Sequence, residues 1–330
     1  MVNKPEIENG LSISRLGLGC GHMSNGNESA RKESIATIHA ALEEGVTVFN
    51  TADFYGAGQS EMVIGEALKG RTRDEVFVSV KFGALVAPGG SMYGLDVRPL
   101  TVKNYLTHSL KRLKLDYIDL YQPARIDLDI PVEETIGAIS DLVQAGYVKH
   151  IGITQVDGET LKKAHATHPI RFVEAEYSLF NREIEEDILP IARELGIGVV
   201  AFGVMAHGML AGTWTKERIE RCKGGYIPLF WEGNIEKNVA LVERLAQIAA
   251  EKQATVSQLA YAWILSKGED IIPLIGNSKP DHFKEALGAL KLCLSEADLA
   301  RIEEAIPEKE IAGASFPKMQ FKNGVVVRSL

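Results

Sequence analysis

The chain has 330 residues, 45% of them apolar and 24% charged, with 31 Gly and 12 Pro, a make-up that buries a large core and excludes intrinsic disorder. Its 36 basic residues are outnumbered by 44 acidic ones, for a net charge of −8, and no Lys/Arg run is interleaved with aromatics, so nucleic acid is not an expected partner. The opening MVNKPEIENG is charged, no apolar run approaches the roughly 20 residues that span a bilayer, and Cys20, Cys222 and Cys293 lack disulfide or metal-ligand spacing, so we expect a cytoplasmic protein with no membrane contact and no metal.

In chain order, SRLGLGC (14–20) reads as a strand and ESIATIHAALEEG (33–45) as a helix stopped by Gly45. TVFNTA (47–52) and VFVSVKF (76–82) are the next strands, followed by a helix over 101–115 that starts at Thr101 and by the strand YIDLYQ (117–122). Pro131 and Gly146 bracket a helix, after which come KHIGIT (149–154), a helix over 157–168, RFVEAEY (171–177), a helix over 183–196 and IGVVAFG (197–203). The eighth strand, IIPLIG (271–276), precedes a helix over 279–291. Strands this apolar are covered on both faces, and eight alternating βα units predict one α/β domain over 1–330, a (β/α)8 TIM barrel. Residues 204–270 interrupt the repeat with long loops around GTWTKERIERCKGGYIPLFWEGN and two helical stretches, at 238–253 and 255–268; an insertion of that length is expected to cover a site. The tail beyond about residue 306 lacks helical periodicity and carries aromatics, so it is expected over the carboxyl-terminal face of the strands.

Catalytic side chains of such a barrel stand at the carboxyl ends of its strands. The polar residues there are Asn50, Thr51, Asp53 and Tyr55, then Lys81, then Tyr121, Gln122 and Arg125, then Thr154 and Gln155, then Glu174, Glu176 and Tyr177. They contain neither a clustered His/Asp ligand set nor a Ser–His pair, which disfavours metal hydrolysis and acyl transfer. Tyr55 and Lys81 converge from adjacent strands. A nearby ammonium stabilises a phenolate and so turns a phenol of pKa near 10 into a usable general acid for a carbonyl oxygen. Inside VSVKFG the amine of Lys81 also needs a partner.

With GLGC, FNTADFYG, VSVKFG, YIDLYQPARID, GYVKHIGIT, EAEYS, VVAFGVMAHGMLAG and IIPLIGNSKPDHFKEALGAL in that order, nearly the whole chain resembles the aldo-keto reductases. The resemblance implies NADP(H)-dependent reduction of a small aldehyde or ketone, with Tyr55 as general acid assisted by Lys81. Two positions depart from the family pattern: Asn50 stands where a carboxylate is usual, and Ala124 where a histidine is usual. Asn50 is expected to hold Lys81 through its amide oxygen, and Asp53, if its side chain turns inward, to replace the missing carboxylate in part. The resemblance assigns Cys20 and Gly21 to the cofactor, with Thr154, Gln155 and Glu174 at the nicotinamide amide and Phe202 stacked on the ring. Gly203, Val204, Ala206, His207 and Leu210 fall to the pyrophosphate, and Gly276, Asn277, Ser278, Lys279, His282 and Glu285 to the 2′-phosphate and adenine. Phe54, Tyr93, Ala124, Arg125 and Trp231 are the substrate candidates. Asn50 and Ala124 leave a second reading open, an NADP(H)-binding regulator or sensor with weak or lost catalysis.

Overall fold

The computed structural model describes residues 6–7, 11–24, 27–276, 278–315 and 319–328. Eight parallel strands close into a barrel in chain order: β1 (Gly17–Gly19), β2 (Val48–Ala52), β3 (Phe77–Phe82), β4 (Ile118–Pro123), β5 (Val148–Thr154), β6 (Ile170–Glu176), β7 (Gly198–Phe202) and β8 (Ile271–Gly276). Each of the eight predicted strands thus takes its place. Strand alternation decides what faces where. Val48, Phe77, Leu120, Phe172, Val200, Ile272 and Leu274 fill the barrel interior, with Ile13 packed against them. Asn50, Ser79, Gln122 and Glu174 lie two residues further along their strands and form the next inward layer, a polar one.

The outward residues, such as Phe49, Val78, Val80, Tyr121, Ile151 and Val173, pack into a second and larger core under the helices. The helices are α1 (Glu28–Glu43), α2 (Gln59–Ala67), α3 (Pro99–Leu113), α4 (Val132–Gln144), α5 (Gly158–Thr167), α6 (Ile188–Glu194), α7 (Lys216–Cys222), α8 (Asn234–Glu251), α9 (Val256–Ser266), α10 (Pro280–Leu287) and α11 (Glu296–Ala305). Their starts follow capping chemistry: Asn27 accepts from the amides of Ser29 and Ala30, and the Thr255 and Ser295 hydroxyls from those of Gln258 and Asp298. The helix expected over 183–196 is broken into a short turn at Glu183–Glu185 and then α6. Its break is Asp187, whose carboxylate turns away to accept from the Gly158 amide at 2.9 Å, at the start of α5. Among the described residues no helix is long and apolar enough to cross a membrane.

The tail does run along the carboxyl-terminal face. The Ala314 carbonyl accepts from Leu229 at 3.2 Å in the long insertion, and the Ser315 hydroxyl from Asn181 beyond β6. Residues Met319–Lys322 and Val325–Arg328 then form a hairpin that joins Met92–Leu95 and Ala84–Val86 in a four-stranded antiparallel sheet beyond β3.

Candidate active site

Lys81 is the centre of the polar layer. Its Nζ donates to Asn50 Oδ1 at 2.5 Å and to Glu174 Oε1 at 2.9 Å, with both partner side chains buried. The other carboxylate oxygen of Glu174 accepts from Asn50 Nδ2 at 2.7 Å and from Gln122 Nε2 at 2.6 Å. Gly152 on the neighbouring strand makes room for Gln122, because a Cβ there would come within 2.6 Å of its amide oxygen. Burial alone would lower the pKa of the Lys81 ammonium. That is the largest single effect, but the charges of Glu174 and Tyr55 and the hydrogen bonds to both outweigh it together, and the net shift is upward.

Tyr55 stands on the turn after β2, in which Gly56 (φ 58), Ala57 (φ 52) and Gly58 (φ 93) take left-handed backbone conformations. The Lys81 ammonium lies 5.3 Å from the centre of its ring, and Phe54 packs edge-on to it with centroids 4.9 Å apart. Gly21 approaches the same ring closely: a Cβ there would sit 3.5 Å from it.

Asp53 does not replace the missing carboxylate. Odd-numbered residues of β2 point to the helices while Val48 and Asn50 point inward, so Asp53 accepts instead from the Gly83 amide at 3.3 Å. Its carboxyl is pushed up to about 7, first by burial and then by Glu61. The acid that pairs with Lys81 comes from across the barrel, on β6.

A cavity of about 1380 Å³ opens above this layer and is lined by Asn50, Phe54, Tyr55, Lys81, Met92, Ala124 and Arg125 at one end, larger than the roughly 300–1,000 Å³ of a drug-sized site. It continues past Thr154, Glu174, Phe202, Gly203, Val204 and His207 to Gly276, His282 and Glu285, with Gly21 on its wall. The Thr154 hydroxyl is buried there without a partner among the described residues, as a wall built to bind a polar group would leave it. Length, the stackable face of Phe202 and this open hydroxyl fit a dinucleotide.

Several assigned residues lie off the cavity wall. Cys20 is fully buried with Sγ 3.5 Å from the Leu18 carbonyl, and burial pushes its thiol up to about 12, so it packs rather than binds. Ala206 and Leu210 are core residues under the turn after β7. Gln155 folds back, its Oε1 accepting from the Glu176 amide at 2.8 Å. Ser278 lends its carbonyl to Thr37, and Lys279 is exposed at the N-cap of α10. Asn277 lies outside the described residues.

Two substrate candidates are displaced for plain geometric reasons. Tyr93 is exposed because it alternates with Met92, which takes the cavity side. Trp231 is tied by its indole to the Gly225 carbonyl at 3.1 Å, and the insertion reaches the cavity through Trp214, Arg218 and Tyr226 instead. The Arg218 guanidinium stacks 4.0 Å over Trp214 and donates to the carbonyls of Gly208 and Thr213. Sequence reasoning missed these residues, as well as Ser79 and Met92. Ser79 had a signal, since it precedes Lys81 by two on one strand.

A model of the Aldo/keto reductase family matches residues 15–307. The chain is 38% identical over 310 residues to a probable aldo-keto reductase 1 of Glycine max, covering 93% of this chain and 89% of that one. The structure of a glycerol dehydrogenase from Gluconobacter oxydans superposes with a TM-score of 0.78 at 27% identity, covering 92% of this chain and 94% of that one. That of an aldo-keto reductase from Klebsiella pneumoniae in complex with NADPH does so at 0.72 and 23%, covering 93% and 96%.

Proposed function

The chain belongs to the aldo/keto reductase family, and from that premise we propose that it reduces a small aldehyde or ketone to the alcohol with NADPH. The observation that carries this reading is the ion pair under Tyr55, with Lys81 held between Asn50 and Glu174. Bound NADPH would supply the hydride to the carbonyl carbon. Tyr55 meets the negative charge that grows on the oxygen and gives up its phenolic proton to it. The Lys81 ammonium stabilises the phenolate left behind, and Glu174 keeps Lys81 protonated and fixed at the ring.

Thr154 and Glu174 are the residues proposed for the carboxamide and Phe202 for the ring face, with Gly203, Val204 and His207 at the pyrophosphate. The start of α10 presents a positive helix end, and His282 on the cavity wall and Lys279, exposed at the N-cap outside it, are the proposed holders of the 2′-phosphate, with Glu285 toward the adenine. In these terms Ala124 supplies no donor to the substrate oxygen, which lowers the rate without removing the acid.

The test is NADPH oxidation against a panel of aldehydes and ketones, with Tyr55→Phe beside the wild type. The wild type should turn over at least one class, and the variant should lose roughly 10²-fold or more in kcat while still quenching protein fluorescence on NADPH addition. Inertness to the whole panel with NADPH bound would favour the regulator reading.

A further inference from the structure

Arg125 follows β4 by two residues and lines the same end of the cavity as Tyr55, Lys81 and Phe54. Its guanidinium carries five N–H donors, yet among the described residues a single hydrogen bond is made, from Nη1 to the adjacent Ala124 carbonyl at 2.6 Å. Three other half-buried arginines are matched: Arg73 by Asp119, Arg112 by Glu61, and Arg218 by Trp214 and two carbonyls. The carboxylates whose fields reach Arg125 are Glu174 and Glu176. Glu174 is engaged with Lys81, Asn50 and Gln122; Glu176 accepts from Asn181 at 3.1 Å through Oε2, and its Oε1 is buried without a partner among the described residues and makes no hydrogen bond to Arg125.

On its wall the substrate end of the cavity carries two cations, Lys81 and Arg125, against one carboxylate, Glu174, which is committed to Lys81, while Glu176 lies behind the wall; Phe54 and Met92 add apolar surface. Burial disfavours the Arg125 charge and lowers its pKa, but a guanidinium stays protonated in a protein. A sheltered cation with spare donors is costly until an anion meets it, and its planar fork suits a carboxylate in two-point contact. The small Ala124 beside it leaves that approach open.

We propose that the substrates are carbonyl compounds bearing a carboxylate, which Arg125 binds while Tyr55 meets the carbonyl oxygen. This rests on the reductase reading. It separates the work of the two cations: Lys81 serves the acid, and Arg125 selects the molecule.

Matched pairs test it: 4-carboxybenzaldehyde with its methyl ester, and succinic semialdehyde with its methyl ester, each assayed with NADPH. In the wild type, kcat/KM for the acid should exceed that for the ester by roughly tenfold or more in at least one pair, chiefly through KM. In Arg125→Gln that ratio should fall to near one, and Arg125→Lys should retain part of it. Esters reduced as well as acids in the wild type, or a ratio that survives in Arg125→Gln, would overturn the proposal. So would an equal loss of kcat on acid and ester in Arg125→Gln, which would make Arg125 a donor to the reacting oxygen. A measurement independent of any variant is inhibition of ester reduction, where benzoate should compete and benzamide should not; the reverse or equal potency counts against the proposal. If all four compounds and uncharged aldehydes are inert, the reductase reading fails first, and the substrate assignment falls with it.

Discussion

Asn50 and Glu174 approach the same ammonium from opposite sides of the barrel, and they differ by one charge. Because Lys81 registers the sum of its partners, the carboxylate is exchangeable between them in principle. Glu174→Gln leaves a buried ammonium with neutral partners, a loss of about 3–5 kcal/mol for one member of a buried pair. Its lysine pKa should then drop, moving the alkaline limb of the pH profile of kcat/KM to lower pH. Asn50→Asp alone places two carboxylates on one lysine, and one of them takes up a proton. The double variant Asn50→Asp/Glu174→Gln restores one carboxylate and one amide, so activity and the alkaline limb should recover most of what Glu174→Gln lost. Recovery no better than the worse single variant would show that position, not charge, is what matters. Asp53 gives a second residue-level prediction. Its pKa is raised in the fold from 3.8 to about 7, so its effect is absent below the unfolded value and destabilises increasingly as pH rises toward 7. Asp53→Asn removes that cost and relieves Glu61, so the variant should be more stable than wild type by an amount on the order of 2–4 kcal/mol at alkaline pH and nearly unchanged in acid, read from thermal midpoints at the two pH values. A difference between variant and wild type that is the same at both pH values would refute the assignment.

At the level of elements, the barrel strands were legible because both their faces are buried, which leaves runs such as VFVSVKF with nothing but apolar and β-branched residues outside the polar layer. Asp53 does not turn inward because side-chain direction follows the strand's period of two, which places it with the outward residues. Helix α11 went unread although its Ser295 and Asp298 form a capping box, and the short strands at Ala84–Val86 and Met92–Leu95 were hidden by the glycines between them. Pairing of those strands with the tail is a contact distant in sequence that no local pattern announces. Its anchor is Asp127, buried beyond β4, which accepts from the amides of Asn323 at 3.1 Å and Gly324 at 2.5 Å. Asp127→Ala should cost roughly 1.5–3 kcal/mol for each charged hydrogen bond it removes, and the loss should be local, freeing 319–328 to protease before the barrel unfolds. Since Met92 of the partner strand lines the cavity, KM should rise as well. Unchanged cleavage kinetics would mean the hairpin holds without its anchor.

The whole molecule is joined around the cavity, whose lining runs from Gly19 to Ala286 and draws on strands all round the barrel, on the turn after β4 and on α8, α9 and α10. Its far end is made by small residues such as Ala246, Ala250 and Ala254, which carry no signal in a sequence because a cavity wall and a helix surface use them alike. A ligand that fills such a cavity ties together elements remote along the chain, so its binding should appear as global stability. At a concentration of 100 times Kd a ligand of the native state adds about 2.7 kcal/mol. Unfolding entropy near 2.1 cal/mol/K per residue gives roughly 0.7 kcal/mol/K for a chain of this length, so the midpoint should rise by about 4 °C. With Lys279 and His282 proposed at the 2′-phosphate, NADPH should reach that shift at a lower concentration than NADH, which lacks the phosphate. Lys279→Ala should then raise the NADPH concentration required and leave that for NADH in place. An equal response to both cofactors in the wild type would remove the 2′-phosphate from this helix end, while the absence of any shift with either would remove the dinucleotide from the cavity altogether.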